Sequence, residues 1–321
     1  MRHFTNVKDA GDLRVAVAEA LDVKRDRFAH TALGRNKTLA MIFFNSSLRT
    51  RLSTQKAAMN LGMNTMVLDI AQGAWKLETG RGVIMDGDKP EHLLEAIPVI
   101  GSYCDIIGVR SFAQFENKAD DYGERVLSQF IEHSGRPVVS MEAATRHPLQ
   151  SFADLITIGE HKRSARPKVV LTWAPHPRAL PQAVPNSFAE WMNAAAADGD
   201  VDFVITHPPG YELAPEFVGG ARVEYDQRRA FEGAGFIYAK NWAAYADPNY
   251  GKILSTDRAW TVDSEKMALT DNAFFMHCLP VRRGMIVTDE VIESPQSIVI
   301  PEAANREISA QVVLKRILES L

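Results

Sequence analysis

The residues best suited to chemistry fall in the string FFNSSLRTRLSTQKAAMNLG, Phe43 to Gly62. An apolar run ends at Asn45, a hydroxyl at Ser46 or Ser47 is placed to cap a helix, and Gly62 supplies a left-handed stop. Arg49 and Arg51 then sit in the first turn or two, at the positive end of the helix dipole. A cation there costs roughly 0.3–1 kcal/mol. Hydroxyls, open backbone N–H groups and guanidinium groups at one helix tip suit a bound phosphate. A capped helix with two solvated arginines is the plainer reading. A second candidate is AFFMHCLP, Ala273 to Pro280, where His277 and Cys278 could form a base and a thiol nucleophile. A zinc role for the pair fails, because adjacent side chains in a strand face opposite ways and no partner pair has ligand spacing. No metal is expected.

Two further cations sit at strand ends. Arg110 directly follows the run CDIIGV, and the carboxyl end of a parallel strand is where α/β ligands bind. Lys240 closes GFIYAK, and read alone it is a strand-end charge, as Glu142 after RPVVSM is a plain surface acid. His147, before Pro148, Leu149 and Gln150, reads as a core histidine or as a donor. Arg306 reads as lying near the start of a terminal helix, repeating the dipole placement of Arg49. Nucleotide motifs are missing: no Walker A loop is present, Gly80 and Gly82 lack a third glycine, and Gly233 and Gly235 precede a strand.

The elements that must position these groups alternate. Thr38–Phe44, Asn64–Asp69, Cys104–Val109 and Arg136–Met141 read as buried strands, with helices near Ser47–Leu61, Pro90–Ser102 and Gly123–His133. The pattern restarts with Lys168–Trp173, Asp202–His207, Gly235–Lys240, Ala273–His277 and Ser297–Ile300, and Ser187 with Glu190 reads as a capping box opening a helix. Pro148–Arg163 reads as a helix crossing between domains. Two α/β domains with doubly wound parallel sheets are expected, residues 1–147 and 148–301, with a terminal helix over 302–321 packing back on the first. At 321 residues the length fits two cores, and 46% hydrophobic against 24% charged residues is the mix of a folded protein. A net charge of −4 argues against broad nucleic-acid or membrane affinity. No apolar run is long enough for a membrane span or a secretory signal, and Cys104 and Cys278 are too few for a disulfide framework, so a cytoplasmic enzyme is expected.

SSLRTR resembles the SxRTR carbamoyl-phosphate motif of the transcarbamylases, and HPLQ at His147–Gln150 and HCLP at His277–Pro280 match the same family in order and spacing. The match covers essentially the whole chain and is most similar to the subgroup acting on N-acylated ornithine. The resemblance implies transfer of a carbamoyl group from carbamoyl phosphate to the side-chain amine of an N-acylornithine, in arginine biosynthesis and without a cofactor. It places Ser47, Leu48, Arg49, Thr50, Arg110, His147, Cys278, Leu279 and Arg306 around carbamoyl phosphate, with Arg49, Arg110, His147 and Cys278 at the reacting atoms. Cys278 and Leu279 then serve as substrate contacts, including a backbone carbonyl, and not as a nucleophile. Trp75, between Gly73 and Lys76, is implied to reach a neighbouring subunit's site, making the protein a homotrimer with sites at subunit interfaces.

Glu142, His176, Lys240 and Arg282 match the contacts to the acylated substrate. The family's ornithine enzymes carry an SMG-type loop that this chain lacks; NWAAY at Asn241–Tyr245 takes its place. Pro175, Pro177, Pro181 and Pro185 stiffen a stretch resembling the loop by which the acylornithine subgroup knots its chain. Pro90, read as a first-turn proline, occupies the position where acetyl-preferring relatives carry an acid. A carboxylate there would repel a succinyl group, so N-succinylornithine is the expected substrate. N-acetylornithine, free ornithine and a non-catalytic phosphate-ligand binding protein are the alternatives.

Overall fold

The computed structural model describes residues 1–70 and 75–321; Gly73 lies outside the described residues. The chain forms two units, Met1–Leu149 with Arg306–Leu321, and Gln150–Asn305.

In chain order the first unit's elements are α1 (Leu13–Arg25), β1 (Thr38–Phe43), α2 (Arg49–Asn60), β2 (Asn64–Asp69), β3 (Leu77–Glu78), β4 (Glu91–His92), α3 (Leu93–Ser102), β5 (Ile106–Arg110), α4 (Lys118–Tyr122), α5 (Arg125–His133) and β6 (Val138–Glu142). The main sheet runs β2-β1-β5-β6, all parallel. Its inner strands are unbroken apolar runs because both faces are covered; Leu39, Met41, Ile106 and Ile107 are fully buried. The order reverses between β1 and β5, so the segments leaving those two strands diverge over a crevice. Those segments carry the start of α2 and Arg110. Gly62 closes α2 at φ 78°, and a Cβ there would meet the Thr31 carbonyl at 2.2 Å, so only glycine fits.

Helix α6 (Pro148–His161) leads into the second unit, whose elements are β7 (Lys168–Trp173), α7 (Ala183–Ala197), β8 (Asp202–Thr206), α8 (Pro215–Val218), β9 (Arg222–Glu224), α9 (Gln227–Phe231), β10 (Phe236–Lys240), α10 (Ser264–Met267), β11 (Phe274–Met276) and α11 (Asp289–Ile292). The parallel sheet runs β11-β10-β7-β8-β9 and reverses between β10 and β7. Lys240 lies beside Trp173 there, at the two strands' carboxyl ends. Helix α12 (Val299–Leu318) closes the chain, with Ile308, Val312, Val313 and Ile317 buried.

Five local expectations are corrected. Ser297–Ile300 is not a strand: Ser297 makes one isolated bridge to Phe275 and the chain enters α12 at Val299. A short apolar run fits either element, and here the helix prevails. Helix α12 therefore starts before Glu302, and Arg306 lies two turns inside it, away from the dipole's positive end. Ser187 does not open a helix; it is buried within α7, which starts at Ala183. Pro185 accordingly sits in the first turn of α7, where proline is tolerated, and not in the preceding loop. Pro90 precedes β4, and α3 begins at Leu93, capped by His92, which accepts from the Leu94 N–H.

Candidate functional site

The first unit brings two arginines onto one hydroxyl. Ser47 Oγ accepts the Thr50 N–H at 3.2 Å, but the residue at the N-cap of α2 is Leu48, so neither Ser46 nor Ser47 takes the expected capping position. Thr50, almost fully buried, accepts on Oγ1 from Arg110 Nη1 at 3.2 Å and Arg306 Nη2 at 3.1 Å. Two guanidinium groups from distant stretches of chain thus converge on the α2 tip. A register shift between Val109 and Arg110 sets Arg110 beside Glu142, and Arg110 Nη1 donates to Glu142 Oε2 at 2.5 Å. His147 Nε2 lies 3.5 Å from the same carboxylate oxygen. Arg110 also stacks on Phe112, 4.4 Å from ring centroid to guanidinium carbon. Its Nε is buried with no acceptor among the described residues. A buried donor of this kind is costly until an oxygen meets it. Three arginines against Glu142 leave an excess of positive charge suited to a dianion. Leu48 is 70% exposed, so its part in any site is through its backbone.

The turn before His147 is fixed by a residue without a signal in the sequence. Glu124, at φ 50°, accepts from the Ala144 N–H at 2.9 Å and the Thr145 N–H at 2.7 Å, and burial pushes its carboxyl up. Trp75 is 61% exposed, with Nε1 donating to Glu91 at 2.7 Å. The β3–β4 ladder brings the Trp75 and Pro90 segments together, since Leu77 pairs with Glu91, and Pro90 is exposed. Hydrogen bonds tie this loop to α5 through Thr79.

The second unit holds three of the matched acylornithine contacts, His176, Lys240 and Arg282, while Glu142 and Pro90 belong to the first. Arg282 Nε donates to His176 Nε2 at 3.0 Å, and Nδ1 lies between the Arg178 carbonyl at 2.8 Å and the Arg178 N–H at 3.0 Å. Since Nε2 must accept from the guanidinium, the neutral ring's proton sits on Nδ1 toward the carbonyl. Burial lowers the His176 pKa; the Arg178 carbonyl opposes this, while the charges of Lys240, Arg282 and Arg178 lower it further. A neutral imidazole therefore sits among cations, and Lys240 is itself buried. The proline-rich stretch is laced to the chain after β10: Asn241 Nδ2 donates to the Ala174 carbonyl at 2.8 Å, and the Ala243 N–H to the Leu180 carbonyl at 2.9 Å.

After β11 the chain turns sharply. Leu279 adopts φ 53°, its bond to Pro280 is cis, and its N–H donates to His277 Nδ1 at 2.8 Å. That bond turns the imidazole back onto its own loop. Neither cysteine is in a disulfide. The His277 N–H donates to Glu302 Oε2 at 2.9 Å, and Tyr238 of β10 is fully buried. Glu302, Asp154 and Tyr238 escaped sequence reasoning. The spacing of Gln150 and Asp154, four apart on α6, is the signal that could have found one of them. Among the described residues no group of three His, Cys, Asp or Glu side chains is placed to hold a metal, and no helix is long and apolar enough to cross a membrane.

Two family models match the chain: the carbamoyl-phosphate-binding domain of the aspartate/ornithine carbamoyltransferases over residues 2–160, and their Asp/Orn-binding domain over residues 184–317. The N-succinylornithine carbamoyltransferase of Bacteroides fragilis (strain 638R) is 77% identical over 321 residues, with 100% of both chains covered. The N-acetylornithine carbamoyltransferase of Xanthomonas axonopodis pv. citri is 36% identical over 328 residues, covering 95% of this chain and 93% of that one. Among solved structures, a glutamate-to-proline variant of N-acetyl-L-ornithine transcarbamylase with carbamyl phosphate and N-succinyl-L-norvaline matches with a TM-score of 0.90. It is 35% identical and covers 99% of this chain and 100% of that chain.

Proposed function

Because the chain belongs to the aspartate/ornithine carbamoyltransferase family, we propose that it moves the carbamoyl group of carbamoyl phosphate to the side-chain amine of N-succinyl-L-ornithine. The products are N-succinyl-L-citrulline and phosphate, and the step belongs to arginine biosynthesis in the cytoplasm. The observation that carries the reading is the meeting of Arg110 and Arg306 on the Thr50 hydroxyl beside Arg49 at the α2 tip.

The phosphate dianion is held by the α2 N–H groups at Ser47, Leu48, Arg49 and Thr50 and by the three arginines. Arg110 and His147 donate to the carbonyl oxygen. The neutral amine attacks the carbonyl carbon; an N–C bond forms as the oxyanion develops, and donors already in place stabilise that charge. The carbonyl re-forms, the C–O bond to phosphate breaks, and the phosphate takes up the proton released by nitrogen. Phosphate leaves well, so no covalent nucleophile is needed, and Cys278 serves through its backbone carbonyl with Leu279 beside it. Lys240, Arg282 and His176 bind the acylated amino acid, and Glu142 contacts the same substrate.

Pro90 sets the acyl choice by leaving no carboxylate to repel the succinyl group. The relative that carries proline for glutamate was solved with an N-succinyl ligand, which supports this assignment. Trp75 completes the carbamoyl-phosphate site of a neighbouring subunit in a homotrimer, and the proline-rich loop forms a knot with the chain after β10. Purified protein is assayed with carbamoyl phosphate and each amine. Turnover of N-succinylornithine above N-acetylornithine is expected; activity on free ornithine alone, or binding without turnover, overturns the reading.

A further inference from the structure

Two carboxyl groups outside the matched motifs lie fully buried together in the second unit. Asp154 projects from α6 and Glu302 from the first turns of α12, and both are 0% exposed. Gln150 Nε2 donates to Asp154 Oδ1 at 2.7 Å and to Glu302 Oε1 at 3.3 Å. One amide nitrogen thus bridges the two carboxyl groups, and the charge of Asp154 bears on Glu302. Two carboxylates bridged by one amide in a medium that screens poorly repel each other if both ionise, and one proton between them removes that repulsion. The remaining Glu302 oxygen takes the His277 N–H at 2.9 Å. The ring of Tyr238, from β10, lies close enough to the pair for the charges of Asp154 and Glu302 to act on its hydroxyl. The groups facing the pair are thus Gln150 from α6, Tyr238 from β10, and His277 with Cys278 after β11.

We propose that Asp154 and Glu302 share a single proton and, through the His277 amide, hold the turn that presents the Cys278 carbonyl to the attacking amine. This rests on the functional reading above for what the Cys278 carbonyl does. Glu302 and Asp154 are positioning residues; neither touches substrate. The turn needs such an anchor because Leu279 is held at φ 53°, a conformation costly for a residue with a Cβ, and surrounding bonds must impose it. Burial is the largest influence keeping the Glu302 carboxyl protonated, followed by the charge of Asp154, and the His277 N–H opposes both.

The test reads the proton and the positioning separately. Infrared difference spectra of the unliganded protein at pH 8 are compared between wild type and E302Q. A protonated-carboxyl C=O band that shifts in heavy water and is missing in E302Q is expected; no such band overturns the shared proton. In steady-state assays E302A lowers kcat on the order of 10–100-fold with the carbamoyl phosphate KM unchanged, and E302Q, which copies the protonated acid, recovers most of that loss. Wild-type kcat in E302A, or a rise in the carbamoyl phosphate KM matching the fall in kcat, overturns the positioning role. If E302A does not fold, the E302Q spectrum and kcat decide: a full band, or a tenfold loss, in E302Q sinks the proposal. The spectra need no substrate, so their failure strikes this proposal alone, whereas an inactive wild type strikes the functional reading alone.

Discussion

The Arg110 guanidinium is paired with the Glu142 carboxylate at 2.5 Å, both side chains about nine-tenths buried. The β5–β6 register shift puts them side by side, so a residue assigned to carbamoyl phosphate is compensated by one assigned to the amine substrate. Removing one partner from such a pair leaves an uncompensated charge, which a dianion can replace. E142Q should lose roughly 1–3 kcal/mol of stability, the cost of a charged hydrogen bond. Inorganic phosphate should restore much of it by binding the folded state. Thermal melts with and without phosphate check this; an equal Tm shift in wild type and E142Q would refute it.

Arg49 opens α2 and is half-exposed, so its charge opposes the helix dipole. Substitution by alanine should therefore leave stability unchanged or raise it by about 0.3–1 kcal/mol. Loss of a charge-assisted phosphate contact should cost kcat/KM on the order of a hundredfold or more. Activity and stability then move in opposite directions. Retained turnover in R49A removes the helix-tip cradle as the phosphate site.

The parallel strands were readable because strands buried on both faces are continuous apolar runs, as in Lys168–Trp173, found where expected. The same property misled at Ser297–Ile300, where four residues carry no period and the helix that follows absorbed them. Glu142 illustrates a different limit. Its letter reads as a surface acid, and only the bulge after Val109 turns it onto Arg110. Asp154 and Glu302 were hidden for the same reason, since pairing across long stretches of chain decides whether an acid is buried. Thr50 stands in the string that drew attention because Ser47, which accepts its N–H, is three residues away, whereas Arg110 and Arg306, which reach its hydroxyl, come from distant stretches.

Pro90 lies exposed between Lys89, which pairs with Glu78, and Glu91, which holds Trp75. Its own packing is slight, so a change there should alter ligand choice more than stability. A carboxylate at this position faces the terminal carboxylate of a succinyl group but not a neutral acetyl group. P90E should shift the ratio of kcat/KM for N-succinylornithine over N-acetylornithine by about tenfold or more, a difference of about 1.4 kcal/mol. Competition assays with both amines measure it, and an unchanged ratio would leave acyl choice with other residues.

The acid pair in the second unit also sets a pH dependence whose sign follows from its environment. Burial and the neighbouring Asp154 charge raise the Glu302 carboxyl well above the usual value of 4.5. Between that value and the folded one, the native chain holds a proton that the unfolded chain has released. By linkage, stability then falls as pH rises, being fully present below about 4.5 and lost as pH climbs through the folded value. Tyr238, raised by burial and by the charges of Asp154 and Cys278, stays neutral across this window. Glutamine at position 302 keeps an amide donor toward Asp154 and a carbonyl for the His277 N–H but cannot titrate. Unfolding midpoints of wild type should therefore decline from pH 5 to pH 8.5 more steeply than those of E302Q. Parallel curves for the two proteins would mean that Glu302 is ionised in the native state and that the acid pair holds no proton.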